Sequence, residues 1–221
     1  MRLKDKVAIV TGGAGGFGEG IARLYAAQGA KVVIADLNLP AAEKLARELG
    51  ASATAIRADV SREADVNATV ERATEAFGGL DIVVNNAGTT HRNQPLLETD
   101  EAAFDRVYAV NVKSIFWMTR AAIPVLRRQG RGGSIIMIGS TAGIRPRPGL
   151  TWYNGTKGAV NTMTRAMAQE LAPDNIRVNS VSPGLLSWSR PPPGLKARSS
   201  LPAPTGFKEP AVPAIRVAPM L

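Results

Sequence analysis

No cysteine occurs among the 221 residues, and there is one histidine, His91. The first absence excludes a disulfide frame and any thiolate metal site. The second excludes a cage of several histidines around a metal. No run of 18 apolar residues is present, so nothing in the sequence is long enough to cross a membrane as an apolar helix. Met1-Arg2-Leu3-Lys4 pass straight into an apolar strand with no cleavable signal, and the expected location is cytoplasmic. Nor do aromatic residues interleave with basic ones in a stripe, the pattern that would offer stacking faces to nucleic-acid bases.

With 45% hydrophobic and 20% charged residues, the composition is that of a soluble globular protein. The length fits one domain, or one domain and a tail. The net charge of +9 invites a nucleic-acid reading, but its distribution argues against one. Arg190, Lys196, Arg198, Lys208 and Arg216 against Glu209 give +4 in residues 188–221 and leave +5 for all the rest. Nearly half of the excess sits in a tail of unusual composition, and no nucleic-acid or membrane partner is expected.

Lys6-Val7-Ala8-Ile9-Val10-Thr11 reads as a buried parallel strand. It feeds Gly12-Gly13-Ala14-Gly15-Gly16-Phe17-Gly18, after which Ile21, Leu24 and Tyr25 recur at helical spacing. Strand, glycine turn and helix in that order suit a pyrophosphate: backbone approaches closely where no Cβ intrudes, and helix N-terminal N–H groups face the anion. The stretch satisfies both G-x-G-x-x-G and T-G-x-x-x-G-x-G. The next strand, 31–36, ends in Asp36, 18 residues after Gly18. A carboxylate there accepts hydrogen bonds from both ribose hydroxyls and repels a 2′-phosphate, so NAD is expected over NADP; an ordinary strand-end turn residue is the alternative.

Further on, residues 40–49 form a helix stopped by Gly50, and 53–58 form a third strand leading to Asp59-Val60, where Asp59 can hydrogen-bond an adenine amino group. Ser61 is the expected cap of a helix running to about Phe77. Residues 80–84 are a fourth strand that ends in Asn85-Asn86-Ala87-Gly88, and a long amphipathic helix covers about 100–128, with Asn111 among apolar neighbours and Pro124 expected to kink its last turns. Residues 133–140 are a fifth strand carrying a hydroxyl at Ser140, and 176–181 a sixth before Ser182-Pro183-Gly184. Strands alternating with helices at this spacing predict a parallel sheet with right-handed crossovers and helices on both faces.

Between the last two strands, Tyr153 and Lys157 lie one helical turn apart and share a face. A cation beside a phenol favours the phenolate, and the pair can exchange a proton with an alcohol or a carbonyl. Ser140, at the carboxyl end of its strand, lies where ligands bind in such sheets. His91-Arg92 read as a solvated loop, with pocket lining as the alternative, and Arg145/Arg147 as an exposed loop, with attraction of an acidic substrate as the alternative. Trp152 either shapes the pocket or packs at a subunit contact.

Taken in order, Thr11, Gly12, Gly16, Gly18, Asp59, Asn85-Asn86-Ala87-Gly88, Asn111, Ser140, Tyr153, Lys157 and Pro183-Gly184 resemble the motif set of the short-chain dehydrogenase/reductase family over residues 3–187. The likeness is strongest to its 3-oxoacyl-carrier-protein reductase and sugar or secondary-alcohol dehydrogenase branches. The resemblance implies an α/β fold, a Rossmann-type doubly wound parallel sheet of six strands with helices on both faces. It also implies interconversion of a secondary alcohol or 3-hydroxyacyl group and its ketone by hydride transfer. Tyr153 would be general acid/base, Ser140 would hydrogen-bond the substrate oxygen, Lys157 would lower the Tyr153 pKa and bind the nicotinamide ribose, and Asn111 would hold a water relaying protons to Lys157. Expected cofactor contacts are Thr11, Gly12, Gly16, Phe17, Gly18, Asp36, Asp59, Val60, Asn86, Ala87, Gly88, Tyr153, Lys157, Pro183 and Gly184. A small alcohol or ketone is the expected partner, and a homodimer or homotetramer the expected assembly.

The tail departs from the family pattern. After Ser187 comes Trp188-Ser189-Arg190-Pro191-Pro192-Pro193, and eight of the 15 prolines lie in 188–221, which favours extended, poorly ordered chain. The expected division is a dinucleotide-binding and catalytic domain at 1–187 and a Pro-rich tail at 188–221. The seventh strand would be missing, with residues 214–218 as a weak edge substitute, and either the reading frame is lost near Trp188 or the C-terminus is naturally divergent. A catalytically impaired nucleotide-binding protein without a substrate lid is the alternative to an active enzyme.

Overall fold

Val7–Thr11 (β1) is buried at every position, as an apolar strand must be when both faces of its sheet are covered. The structure, a computed structural model, describes residues 1–184. Over these, β1 is joined by Lys31–Asp36 (β2), Ala53–Arg57 (β3), Ile82–Asn85 (β4), Gly133–Ile138 (β5) and Ile176–Val181 (β6) in one sheet of order β3-β2-β1-β4-β5-β6, every pairing parallel. Ala8 sits opposite Val32 on one side and Ile82 on the other. The chain steps outward from β1 to β3 and then returns to β4, so the order reverses between β1 and β4. A crevice opens beyond the carboxyl ends of strands at such a point. The six-stranded α/β fold expected from the sequence is the one observed; the expectations for the seventh strand and the tail fall outside the described residues.

Strand alternation divides the apolar side chains between two layers. Ala8, Val10, Val32, Ile34 and Val84 pack with Ala22 of Gly16–Ala27 (α1) and with Ala42 and Leu45 of Leu39–Leu49 (α2). Ile9, Val33, Val83, Ile135 and Met137 pack with Val66 and Val70 of Glu63–Phe77 (α3), and with Ile115 and Leu126 of Ser114–Gln129 (α5). Val160 of Thr151–Glu170 (α6) joins that second layer. Each fully buried Val, Ile or Leu contributes roughly 1.5–3 kcal/mol, so these layers hold the strand ends in a fixed relation.

Three local expectations change. Ser61 does not cap α3, whose N-cap Arg62 makes no side-chain cap bond. The Ser61 N–H and hydroxyl instead donate to Asp59 Oδ1 at 3.0 and 2.7 Å, which directs the hydroxyl to the neighbouring carboxylate and away from the helix start. The long helix at 100–128 is present but not uniform: Glu101–Tyr108 (α4), started by the Asp100 carboxylate accepting from the Ala103 N–H, leads through a π turn at Ala109–Lys113 into α5. β5 stops at Ile138, two residues before Ser140, which adopts extended backbone and caps a short 3₁₀ turn, Thr141–Gly143.

Candidate active site

The crevice is built first from backbone. Thr11, 3% exposed at the end of β1, donates its hydroxyl to the Val84 carbonyl at 3.2 Å and accepts from the N–H groups of Asn86 and Ala87 at 3.0 and 3.1 Å. One donor and two lone pairs are thereby used up. Thr11 thus lies behind the crevice and fastens β1 to the chain leaving β4. The Asn86 amide completes the seam, donating to the carbonyls of Thr11 and Gly12 at 2.8 and 3.0 Å. Gly18 packs into this seam: a Cβ there would collide with the Gly12 carbonyl and stand 2.7 Å from Asn86 Nδ2. At Gly15 and Gly16 a Cβ would meet nothing, so the first turn of α1 stays uncovered, the cradle that a pyrophosphate requires.

On the β2 side, both carboxylate oxygens of Asp36 accept backbone N–H bonds, from Ala14 at 3.0 Å and Asn38 at 2.9 Å. This fixes the charge at the edge of a cavity of about 320 Å³ that is also lined by Gly12, Asp59, Val60, Ala87, Gly88 and Arg106. The Ser61 hydroxyl bond holds the Asp59 carboxyl below its ordinary pKa, so Asp59 presents an anionic acceptor there.

The other end is a cleft of about 770 Å³ lined by Phe17, Asn86, Gly88, Ser140, Tyr153, Lys157, Pro183 and Gly184, among others. Gly88 and Thr89 line both cavities, so the two are neighbours at the β4 exit. Ser140 accepts from the Ala142 N–H at 3.1 Å and keeps its own proton for another partner. The turn after it lies directly on α6, where a Cβ at Gly143 would stand 2.5 Å from the Lys157 carbonyl carbon. Lys157, 5% exposed, donates to the Ile138 carbonyl at 2.8 Å, with its Nζ 5.9 Å from the Tyr153 ring centroid. Burial lowers its pKa to about 8.

Asn111, 3% exposed in the π turn, is held on three sides. Its Nδ2 donates to the Thr89 carbonyl at 2.8 Å and to Thr156 Oγ1 at 3.0 Å, while Oδ1 accepts from the Thr89 N–H at 2.8 Å. A cavity of about 10 Å³ lies between Asn111 and Lys157, bounded also by Asn85 and Thr11. That is about the space of one water, with Asn85, Asn111 and Lys157 among otherwise largely apolar walls.

The structure thus gathers Ser140, Tyr153 and Lys157 on one wall, with Asn111 behind Lys157. It places Phe17, Asn86, Gly88, Pro183 and Gly184 around the same cleft, and Asp36, Asp59, Val60 and Ala87 around the adjoining cavity. Two residues read as exposed loop belong to the cleft. His91 is 3% exposed and lines it; Nδ1 bonds the Arg92 carbonyl at 2.7 Å, and Nε2 accepts from the Tyr153 N–H at 3.5 Å, which covers an orphan donor in the first turn of α6. Arg147 lines the cleft while remaining exposed. Trp152 packs edge-on against Phe104, ring centroids 5.2 Å apart, and is not among the cleft-lining residues. Among the described residues no cluster of three acidic or histidine side chains suits a metal, and no helix is long and apolar enough to cross a membrane.

The open cradle of α1, the anchored Asp36 carboxylate and the two neighbouring cavities fit a dinucleotide. Comparisons with known proteins agree. The family model for short chain dehydrogenase matches residues 6–190. A 4-formylbenzenesulfonate dehydrogenase from Comamonas testosteroni is 50% identical over 83% of this chain and 73% of its own. Galactitol 2-dehydrogenase from Agrobacterium fabrum is 39% identical over 84% and 72%. The crystal structure of a 3-ketoacyl-(acyl-carrier-protein) reductase from Brucella melitensis, complexed with NADH, is similar with a TM-score of 0.81 and 47% identity, over 82% of this chain and 76% of that one.

Proposed function

The chain belongs to the short chain dehydrogenase family and is a nicotinamide-dependent oxidoreductase, and we propose that it interconverts a secondary alcohol and its ketone with Tyr153 carrying the proton. The observation that carries this reading is the convergence of Ser140, Tyr153 and Lys157 on one cleft that neighbours the adenine-side cavity at Gly88 and Thr89. The dinucleotide would be held by the α1 cradle, Asp36, Asp59 and the walls of both cavities; when bound, it supplies the hydride exchange.

The chain's own residues do the rest. Ser140, whose oxygen is oriented by the Ala142 N–H, donates its proton to the substrate oxygen and fixes that oxygen near the Tyr153 phenol. Tyr153 takes the alcohol proton in oxidation and returns it in reduction. The Lys157 ammonium beside the ring stabilises the phenolate that forms, and the small cavity between Lys157 and Asn111 gives a single water a place to pass protons onward. Asp36 supports NAD over NADP, because its fixed charge would face a 2′-phosphate. We place the domain carrying this chemistry at residues 1–187.

The names of the relatives span a formylbenzenesulfonate, galactitol and a 3-ketoacyl-(acyl-carrier-protein), so they leave the substrate's charge open. The test is NAD reduction with a panel of secondary alcohols by the full chain and by Tyr153→Phe. Turnover that falls at least about a thousandfold in the variant, with NADH binding retained, is the expected result. NADH binding without turnover by the parent chain would favour the nucleotide-binding alternative, and turnover unchanged by Tyr153→Phe would remove Tyr153 from the mechanism.

A further inference from the structure

We propose that the cleft carries an anion subsite at Arg147, and that substrates of this chain bear a carboxylate-like oxyanion at the end remote from the reacting carbon; the proposal rests on the alcohol/ketone reading above. Among the described residues lining the cleft there is no aspartate or glutamate, and the lysine and arginine side chains are Lys157 and Arg147. Lys157 is buried and committed to the Ile138 carbonyl. Arg147 makes no ion pair among the described residues, so its guanidinium fork remains available for bidentate pairing with an oxyanion. A cleft with cations and no carboxylates also concentrates anions at its mouth.

The arginine stands on a rigid perch. Pro146 and Pro148 flank it, which fixes φ on either side and disfavours helical backbone at Arg147 itself. Its carbonyl accepts from the Asn154 amide at 2.8 Å, and Asn154 is buried in α6 directly after Tyr153. Two residues on, the Gly149 carbonyl accepts from the Gln94 N–H at 3.2 Å. The Arg147 backbone is therefore tied to the helix that carries the phenol, which limits how far from the reacting carbon its guanidinium can meet an anion. An arginine on an untethered loop would impose no such limit.

The experiment is calorimetric titration of the full chain, saturated with oxidised NAD so that no hydride is available, with 4-acetylbenzoate and with its neutral isostere 4-acetylbenzamide. The expected result is acid binding at least about tenfold tighter than amide, a ratio that falls to about 1 in Arg147→Gln, is partly kept in Arg147→Lys, and shrinks as salt rises. Equal binding of acid and amide by the parent chain, or an acid preference that survives Arg147→Gln, overturns the proposal. So does binding of neither, and so does a carrier protein that binds through Arg147 where the small acid does not. Turnover of the two ketones with NADH reports separately on the underlying reading. Acid preference without turnover sinks the alcohol/ketone assignment and leaves the subsite, whereas turnover of both without preference does the reverse.

Discussion

Lys157 Nζ stands 2.8 Å from the carbonyl oxygen of Ile138 and 5.9 Å from the centre of the Tyr153 ring, an ammonium held between sheet and phenol with almost no water. Its pKa falls from 10.5 to about 8 on burial. The native state therefore binds fewer protons than the unfolded chain between those values, and stability rises with pH through that window. Below about pH 8 the full penalty is present, about 3 kcal/mol. Lys157→Met loses one hydrogen bond, worth about 1 kcal/mol. It is expected to be about 1–2 kcal/mol more stable than the parent near pH 6, an advantage that fades toward about pH 10.5, and to lose nearly all turnover. Urea unfolding at the two pH values checks this; a variant less stable at both would contradict it.

Asp36 is expected to set cofactor choice. Asp36→Ser should raise the ratio of kcat/KM with NADP to that with NAD at least about tenfold, because the repelling charge is gone while Arg106 still lines the cavity. The Ala14 and Asn38 N–H groups lose their charged acceptor, so a stability loss of about 1–3 kcal/mol should accompany the switch. Steady-state kinetics with both cofactors, beside thermal unfolding, reads both. An unchanged ratio would mean that Asp36 only shapes the turn.

Two alanines in the glycine turn should behave oppositely. Gly18→Ala forces a methyl against the Gly12 carbonyl and the Asn86 amide, and the cofactor-free protein should lose about 1–3 kcal/mol. Gly15→Ala meets no protein atom and has extended backbone at φ −158°. Its fold should be unaffected within about 0.5 kcal/mol, while NADH binding, followed by fluorescence, weakens. Equal stability losses in the two would argue against the packing described for Gly18.

Replacing the Asn111 amide strands its partners. Asn111→Leu leaves the Thr89 N–H, the Thr89 carbonyl and the Thr156 hydroxyl without it, at a cost of about 2–4 kcal/mol. Turnover should fall while NADH affinity changes less, since the cavity shared with Lys157 loses its polar wall. Full turnover in a folded Asn111→Leu protein would remove the water passage from the mechanism.

The sheet was legible because buried parallel strands leave uninterrupted apolar runs, and right-handed crossovers admit few orders for six of them. Tyr153 and Lys157 were legible because one helical turn puts them on a common face. His91 was not: its burial comes from the start of α6, 62 residues away, and nothing beside it in the chain has a period that reports this. Arg147 was read as exposed and is exposed, but that its loop borders the cleft follows from the tie between its carbonyl and Asn154, a contact outside any local pattern. The π turn at Ala109–Lys113 was hidden for another reason, because the apolar spacing on either side of it continues as in one helix. Ser61 turns to Asp59 because its hydroxyl and N–H donate to that neighbouring carboxylate, a local donor role that a residue-type preference for capping acceptors does not weigh.

The Thr11 hydroxyl carries a consequence for how this crevice can diverge. It ties together the two strands that part company at the mouth, with every hydrogen-bonding capacity spent. Swapping the surrounding wall residues retunes which molecule is admitted, whereas trimming this one side chain lets the jaws themselves drift apart. Valine, equal in bulk but unable to bridge, should loosen both halves of the dinucleotide seat together, so specificity can wander here only while that rivet stays in place.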